Sequence, residues 1–220
     1  MQSTKTNLDS NVIFFPLLIL VFVLWILYRS LFTFPVWFDE SIGKALFFGL
    51  PVWIYITITK NKSISETFAP YKLQSGLLLG IAVGGIFGFT VSILSLLQRG
   101  AVVEAVLLFE SPIFWREFLL AMLTAFWETM LFFSFVVTVL EEKFANWSSA
   151  LLVFVSGLIF LAFHLPNAIL RFEGPDILSQ GLLLLLFAIG QGYLFIGRKN
   201  AYALVLSHTI WGLVLVFHAF

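Results

Sequence analysis

The segment Phe118–Leu140 reads FLLAMLTAFWETMLFFSFVVTVL and carries one ionisable side chain, Glu128, near its middle. A hydrocarbon core about 30 Å thick is crossed by roughly 20 apolar residues in helical conformation. The segment therefore has the length and character of a membrane span. An acid at the bilayer centre costs roughly 3 kcal/mol on insertion scales. A lone helix gains nothing by carrying one, so Glu128 requires partners on neighbouring helices. Three histidines in the C-terminal third, His164, His208 and His218, are the candidates.

The composition points the same way. Hydrophobic residues make up 60% of the chain and charged residues 11%, against about 25% charged in a soluble domain. This predicts an all-α, polytopic transmembrane helical bundle, read as a single integral membrane domain over residues 1–220, with the lipid bilayer as its first partner. The net charge is zero, which gives a nucleic-acid partner no electrostatic support. The absence of cysteine removes disulfides, thiolate nucleophiles and cysteine metal sites, and leaves His, Asp and Glu as the strong metal ligands. The first apolar run is long for a signal-peptide core and lacks a small-x-small cleavage site, so it reads as a retained span.

The length rule gives seven spans: about Val12–Leu31, Ile42–Thr59, Gly76–Leu97, Phe118–Leu140, Trp147–Leu165, Gly181–Gly197 and Ala201–Phe220. Pro51 offers a kink in the second. Gly76, Gly80, Gly84 and Gly88 repeat every fourth residue in the third, a bare stripe that admits a second helix at close range. The segments Lys60–Ser75 and Asn167–Gln180 read as polar loops, and Arg99–Glu117 as partly interfacial. With the N-terminus inside, Lys5, Lys60, Lys62, Lys72, Lys143, Arg198 and Lys199 face the cytoplasm, against Arg29, Lys44, Arg99, Arg116 and Arg171 outside. The positive-inside rule prefers that orientation by a small margin. Spans one to three are read as lacking ionisable groups at their centres, which argues against a repeat-built carrier using Glu128 as its proton site.

At about 1.5 Å per residue, Glu128 lies some 15 Å inside its helix and His208 about 10 Å inside its own. His164 falls at the end of the fifth span, on the side where the fourth begins. Alternating helix directions allow Glu128, His164 and His208 to meet in one pocket opening to that side. His218 lies near the chain end, where an interfacial imidazole needs no partner. A carboxylate beside an imidazole can take a proton from water in a wet cavity. Two histidines and a carboxylate with an open position also suit a catalytic zinc. Glu128, His164 and His208 are thus candidates both for catalysis and for zinc ligation. The bland alternative is a protonated acid and two imidazoles that hydrogen-bond across helices.

Three segments together carry a resemblance. Glu128-Thr-Met-Leu-Phe-Phe-Ser-Phe135 is similar to the Glu-Glu-x-x-x-Arg-Gly segment of the CPBP family, the CAAX prenyl protease 2 and bacteriocin-processing enzymes also called Abi. Phe160-Leu-Ala-Phe-His164 resembles that family's Phe-x-x-x-His, and His208-Thr-Ile-Trp-Gly212 its His-x-x-x-Asn or His-x-x-x-Asp. The stretch Gly190–Tyr202 resembles the link between the last two motifs. Order and spacing agree over about Trp115–Leu215.

The resemblance implies an intramembrane endopeptidase of a bacterial plasma membrane, acting on a hydrophobic or lipidated peptide. It implies that Glu128 and His164 activate water and that His208 steadies the oxyanion or helps hold a metal. The family's second Glu, its Arg and its Asn are here Thr129, Phe133 and Gly212. Losing both members of a buried ion pair can be neutral, whereas losing one strands a charge at about 3–5 kcal/mol. Losing an oxyanion donor costs about 10²–10³ in rate; a nearby polar group such as Ser207, Thr209, Asn167 or Gln191 is a candidate to replace it. The rival reading is a non-catalytic relative that keeps the fold as a membrane binding or scaffold protein.

Overall fold

The computed structural model describes residues 10–99, 112–171 and 173–218. Seven main helices follow in order: α1 Ser10–Leu31, α2 Val36–Thr59, α3 Leu73–Arg99, α4 Ile113–Lys143, α5 Ser149–Arg171, α6 Pro175–Arg198 and α7 Ala201–His218. No strand occurs among the described residues. The first six are long and apolar enough to cross a membrane, while the apolar part of α7, Ala201–Val214, is shorter. The chain is an all-α, polytopic membrane bundle.

The glycine stripe seats α7 on α3. A Cβ at Gly76 would come within 2.6 Å of Asn200 Oδ1, and one at Gly84 within 2.7 Å of the Ile210 side chain. Bare backbone on α3 therefore lets α7 lie against it without side chains between. The start of α7 is also tied down by the segment that precedes α3. Asn200 accepts from the Tyr202 N–H and donates to the Lys72 carbonyl, and the Tyr202 hydroxyl donates to the Phe68 carbonyl. These contacts set the height of His208, about two turns further along α7.

Two helices depart from α geometry beside the bundle centre. Residues Asp39–Gly43 and Ala45–Gly49 of α2 are π-helical, and so is Thr129–Val137 of α4. Pro51 has no N–H for the Phe47 carbonyl, and its ring crowds that oxygen; the widened turns end there. The entry of α2 is clamped to α1, because Asp39 accepts from the Tyr28 hydroxyl and pairs with Arg29. Within the widened stretch of α4, the Phe132 ring meets Phe48, Phe160 and Phe163 edge-on, with centroids 5.5, 4.9 and 5.2 Å away. One side chain thus holds α4 against both α2 and α5.

Several boundaries differ from those read in the sequence. The second helix begins at Val36 rather than Ile42, so charged residues lie inside it. The fifth does not stop at Leu165. It runs through Pro166 to Arg171, and α6 begins at Pro175, so the loop expected over Asn167–Gln180 is mostly helix. Pro166 removes one donor, that for the Ala162 carbonyl, and the remaining ladder carries the helix on. Lys60–Ser75 contains a short helix, Lys62–Glu66, capped by the Asn61 side chain, and a 3-10 turn, Pro70–Lys72. Residues 100–111 of the expected interfacial stretch lie outside the described residues.

Candidate active site

Glu128 sits where α4 changes from α to π geometry and is 3% exposed. Its two carboxylate oxygens face different partners. Oε1 accepts from the Lys44 ammonium at 2.6 Å. Oε2 lies 3.4 Å from His164 Nε2 and 3.6 Å from His208 Nε2. The three residues read in the sequence as one site, Glu128, His164 and His208, are therefore brought together from α4, α5 and α7. His218 is at the end of α7, and its side chain lies outside the described residues.

The hydrogen-bond partners settle which ring nitrogen of His164 faces the acid with a lone pair. His164 Nδ1 is 2.7 Å from the Phe160 carbonyl, which can only accept, so Nδ1 carries the proton. In the neutral ring, Nε2 is then an acceptor facing the carboxylate oxygen. Two acceptors at this separation call for a proton on one of them or a donor shared by both. His164 is also held flat against the Phe160 ring, with centroids 4.0 Å apart. His208 packs on Phe187 at 4.6 Å. Its Nδ1 is buried with no hydrogen-bond partner among the described residues.

Lys44 and Glu40 are the residues sequence reading missed. Lys44 is 4% exposed and pairs with Glu40 one turn before it as well as with Glu128. Glu40 in turn accepts from the Thr124 hydroxyl at 2.6 Å. The expectation that spans one to three lack central ionisable groups is thereby corrected. The signal was present as Asp39-Glu40-x-x-x-Lys44, an acid and a base at helical i, i+4 spacing before an apolar run. Trp127, next to Glu128, closes over Gly49 of α2, where a Cβ would come within 2.5 Å of the indole. That contact keeps α2 close enough for Lys44 to reach.

A cavity of about 420 Å³ leads to this cluster. Its inner wall includes Lys44, Glu128 and His164, and its outer wall Val36, Glu117 and Gln180, each near the helix end on one side of the bundle. Gly212 also lines it, with nothing within 4 Å of where a Cβ would be. Of the four polar side chains named as substitutes at Gly212, Asn167 lines this cavity, and its Oδ1 is buried without a partner among the described residues. Ser207 instead donates to Gln191 at 3.1 Å, and the Thr209 hydroxyl donates to the Val205 carbonyl. Thr129 is fully buried, and Phe133 packs near Phe160 and Phe195. Where the resemblance has an ion pair, this chain has a hydroxyl and an aromatic ring.

Glu128, His164 and His208 are ligand types that suit zinc. Among the described residues no group of three His, Cys, Asp or Glu side chains is arranged to hold a metal ion. The Lys44 ammonium on Glu128 adds a fixed positive charge beside any incoming dication. The arrangement fits a buried ion pair flanked by imidazoles.

Fold and site together define a polytopic helical membrane protein with a buried carboxylate–imidazole centre open to one side. Comparison with family models gives a match to the Type II CAAX prenyl endopeptidase Rce1-like family over residues 110–214. The match takes in α4 to α6 and most of α7. It leaves out α1 to α3, and with them Glu40 and Lys44. Comparison with curated proteins and with solved structures gives no match.

Proposed function

We propose that this protein is an intramembrane endopeptidase that hydrolyses a peptide bond in a hydrophobic or lipidated peptide at the membrane surface. The observation that carries the reading is the placement of Glu128 Oε2 within 3.6 Å of two imidazole nitrogens beside a cavity that opens to one side. A water between Glu128 Oε2 and His164 Nε2 gives up a proton to that pair as its oxygen attacks the peptide carbonyl carbon. The carbonyl π electrons move onto oxygen, and His208, donating from Nε2, stabilises the oxyanion. Collapse breaks the C–N bond, and the proton taken from water leaves on the amine. A positioned general base contributes about 10²–10⁴ in rate.

A second reading has its own support. The Glu40–Lys44–Glu128 cluster is already charge-paired, and Gly212 offers no side chain to the cavity. These features suit a binding or scaffold protein that retains the fold.

The two separate in one assay. Purified protein in detergent is incubated with a prenylated peptide and with hydrophobic peptides, beside Glu128→Ala and His164→Ala. Cleavage that both substitutions abolish supports the endopeptidase; identical behaviour of all three supports the scaffold. Elemental analysis of the active sample tests the role of zinc: activity without stoichiometric metal is expected.

A further inference from the structure

The resident charge on Glu128 comes from a helix that the family match does not include. Lys44 stands on the π-helical part of α2 and reaches Glu128 Oε1 at 2.6 Å. It is 4% exposed, and both Glu40 and Glu128 pair with its ammonium. Glu40 is itself fixed by Thr124 of α4. Thr124 and Glu128 are four residues apart, so one face of α4 presents both ends of the chain Thr124–Glu40–Lys44–Glu128. Burying a lysine costs several kcal/mol unless it is paired and hydrogen-bonded. Two carboxylates, one of them anchored in turn, meet that requirement.

We propose that Lys44, braced by Glu40, is the positioning residue of the Glu128 site. By taking Oε1 it fixes the rotation of the carboxylate and leaves Oε2 for the imidazoles and water. By supplying a positive charge beside the carboxylate it leaves neither group unpaired in the apolar surround. The residues of α4 that could have offered a charge from within the matched region, Thr129 and Phe133, are neutral. This inference deepens the endopeptidase reading and rests on it for its kinetic half.

The test has two arms on the purified full chain. In the kinetic arm, Lys44→Met lowers kcat by roughly 100-fold or more, the lower bound for a working general base, with KM within about twofold, since the cation acts through Glu128 rather than on substrate. Lys44→Arg recovers a substantial part of the rate, and the exposed Lys62→Met serves as the control. In the thermal arm, melting temperatures of Lys44→Met, Glu128→Gln and the double variant form a cycle. The double variant is expected to melt above Lys44→Met, because the single change strands two carboxylates, Glu40 and Glu128, and the double change strands Glu40 alone. Full kcat in Lys44→Met, or additive melting shifts in the cycle, overturns the proposal. If the native protein cleaves no peptide, the endopeptidase reading fails, and the thermal arm alone decides whether Lys44 and Glu128 are coupled.

Discussion

Gly80 of α3 lies so close to Leu206 of α7 that a Cβ added at Gly80 would come within 2.8 Å of the Leu206 Cβ. His208 is on the same helix two residues later, so the height of an imidazole over Glu128 depends on a missing methyl group elsewhere. Gly80→Leu is expected to destabilise the bundle by about 1–3 kcal/mol, the usual cost of overpacking, and to lower hydrolysis with it. Gly85→Leu is the control, because nothing lies within 4 Å of its Cβ position. Thermal unfolding in detergent and peptide cleavage read both variants.

His208 donates to the oxyanion in the proposed reaction. His208→Ala is expected to reduce kcat by about 10²–10³, the loss seen when one such donor is removed. KM is expected to stay nearly constant, because the donor acts on charge that develops after binding. Steady-state kinetics on one peptide checks this; an equal loss in binding would assign His208 to substrate contact instead.

Gly212 leaves open space on the cavity wall, and Asn167, whose side-chain NH2 is a donor, lines the same cavity. If the oxyanion forms there, Gly212→Asn adds a donor and raises kcat by about tenfold or more, within the range of a single donor. Asn167→Ala lowers it, and Gly212→Asn placed on Asn167→Ala restores part of the loss. Cleavage rates of the three variants decide it.

The Thr129 and Phe133 pair tests the energetics of the neutral replacement. Both side chains are buried. Phe133→Arg alone strands a charge and is expected to cost about 3–5 kcal/mol. Thr129→Glu with Phe133→Arg is expected to cost less than the single change. Unfolding midpoints of the single and double variants measure the difference.

How far these features could be read from the sequence follows from what each depends on. That α3 has a close helix neighbour is legible because glycine spacing encodes it: four bare positions on one face have few other uses in a span; that the neighbour is α7 needed coordinates. The meeting of Glu128, His164 and His208 was allowed by helix direction, while their separations needed coordinates. Lys44 falls two residues inside the span read from Ile42, at its edge rather than its centre, and its partner Glu40 falls outside that span. A hydropathy rule starts α2 after Asp39 and Glu40, since charges interrupt the apolar run, yet in the folded bundle Asp39 pairs with Arg29 and Glu40 with Lys44. Pairing lowers the cost that the rule assigns to each charge alone. The end of α5 was misplaced by the opposite error. Pro166 and Asn167 read as a stop, but a proline removes one hydrogen bond, and packing outweighs it: the indole of Trp25 donates to the Phe163 carbonyl just before the proline. The widened turns of α2 and α4 have no sequence signature beyond Pro51.

The most direct measurement is the cleavage of a hydrophobic or prenylated peptide by purified protein, native beside Glu128→Ala and His164→Ala. Products are identified by mass spectrometry in a solvent containing ¹⁸O water. Native protein is expected to cut one peptide bond and place the label in the new carboxyl group, with both variants slower by about 10²-fold or more. Equal rates in all three proteins, or no product from any across the peptide series, would contradict a water-activating role for the Glu128–His164 pair.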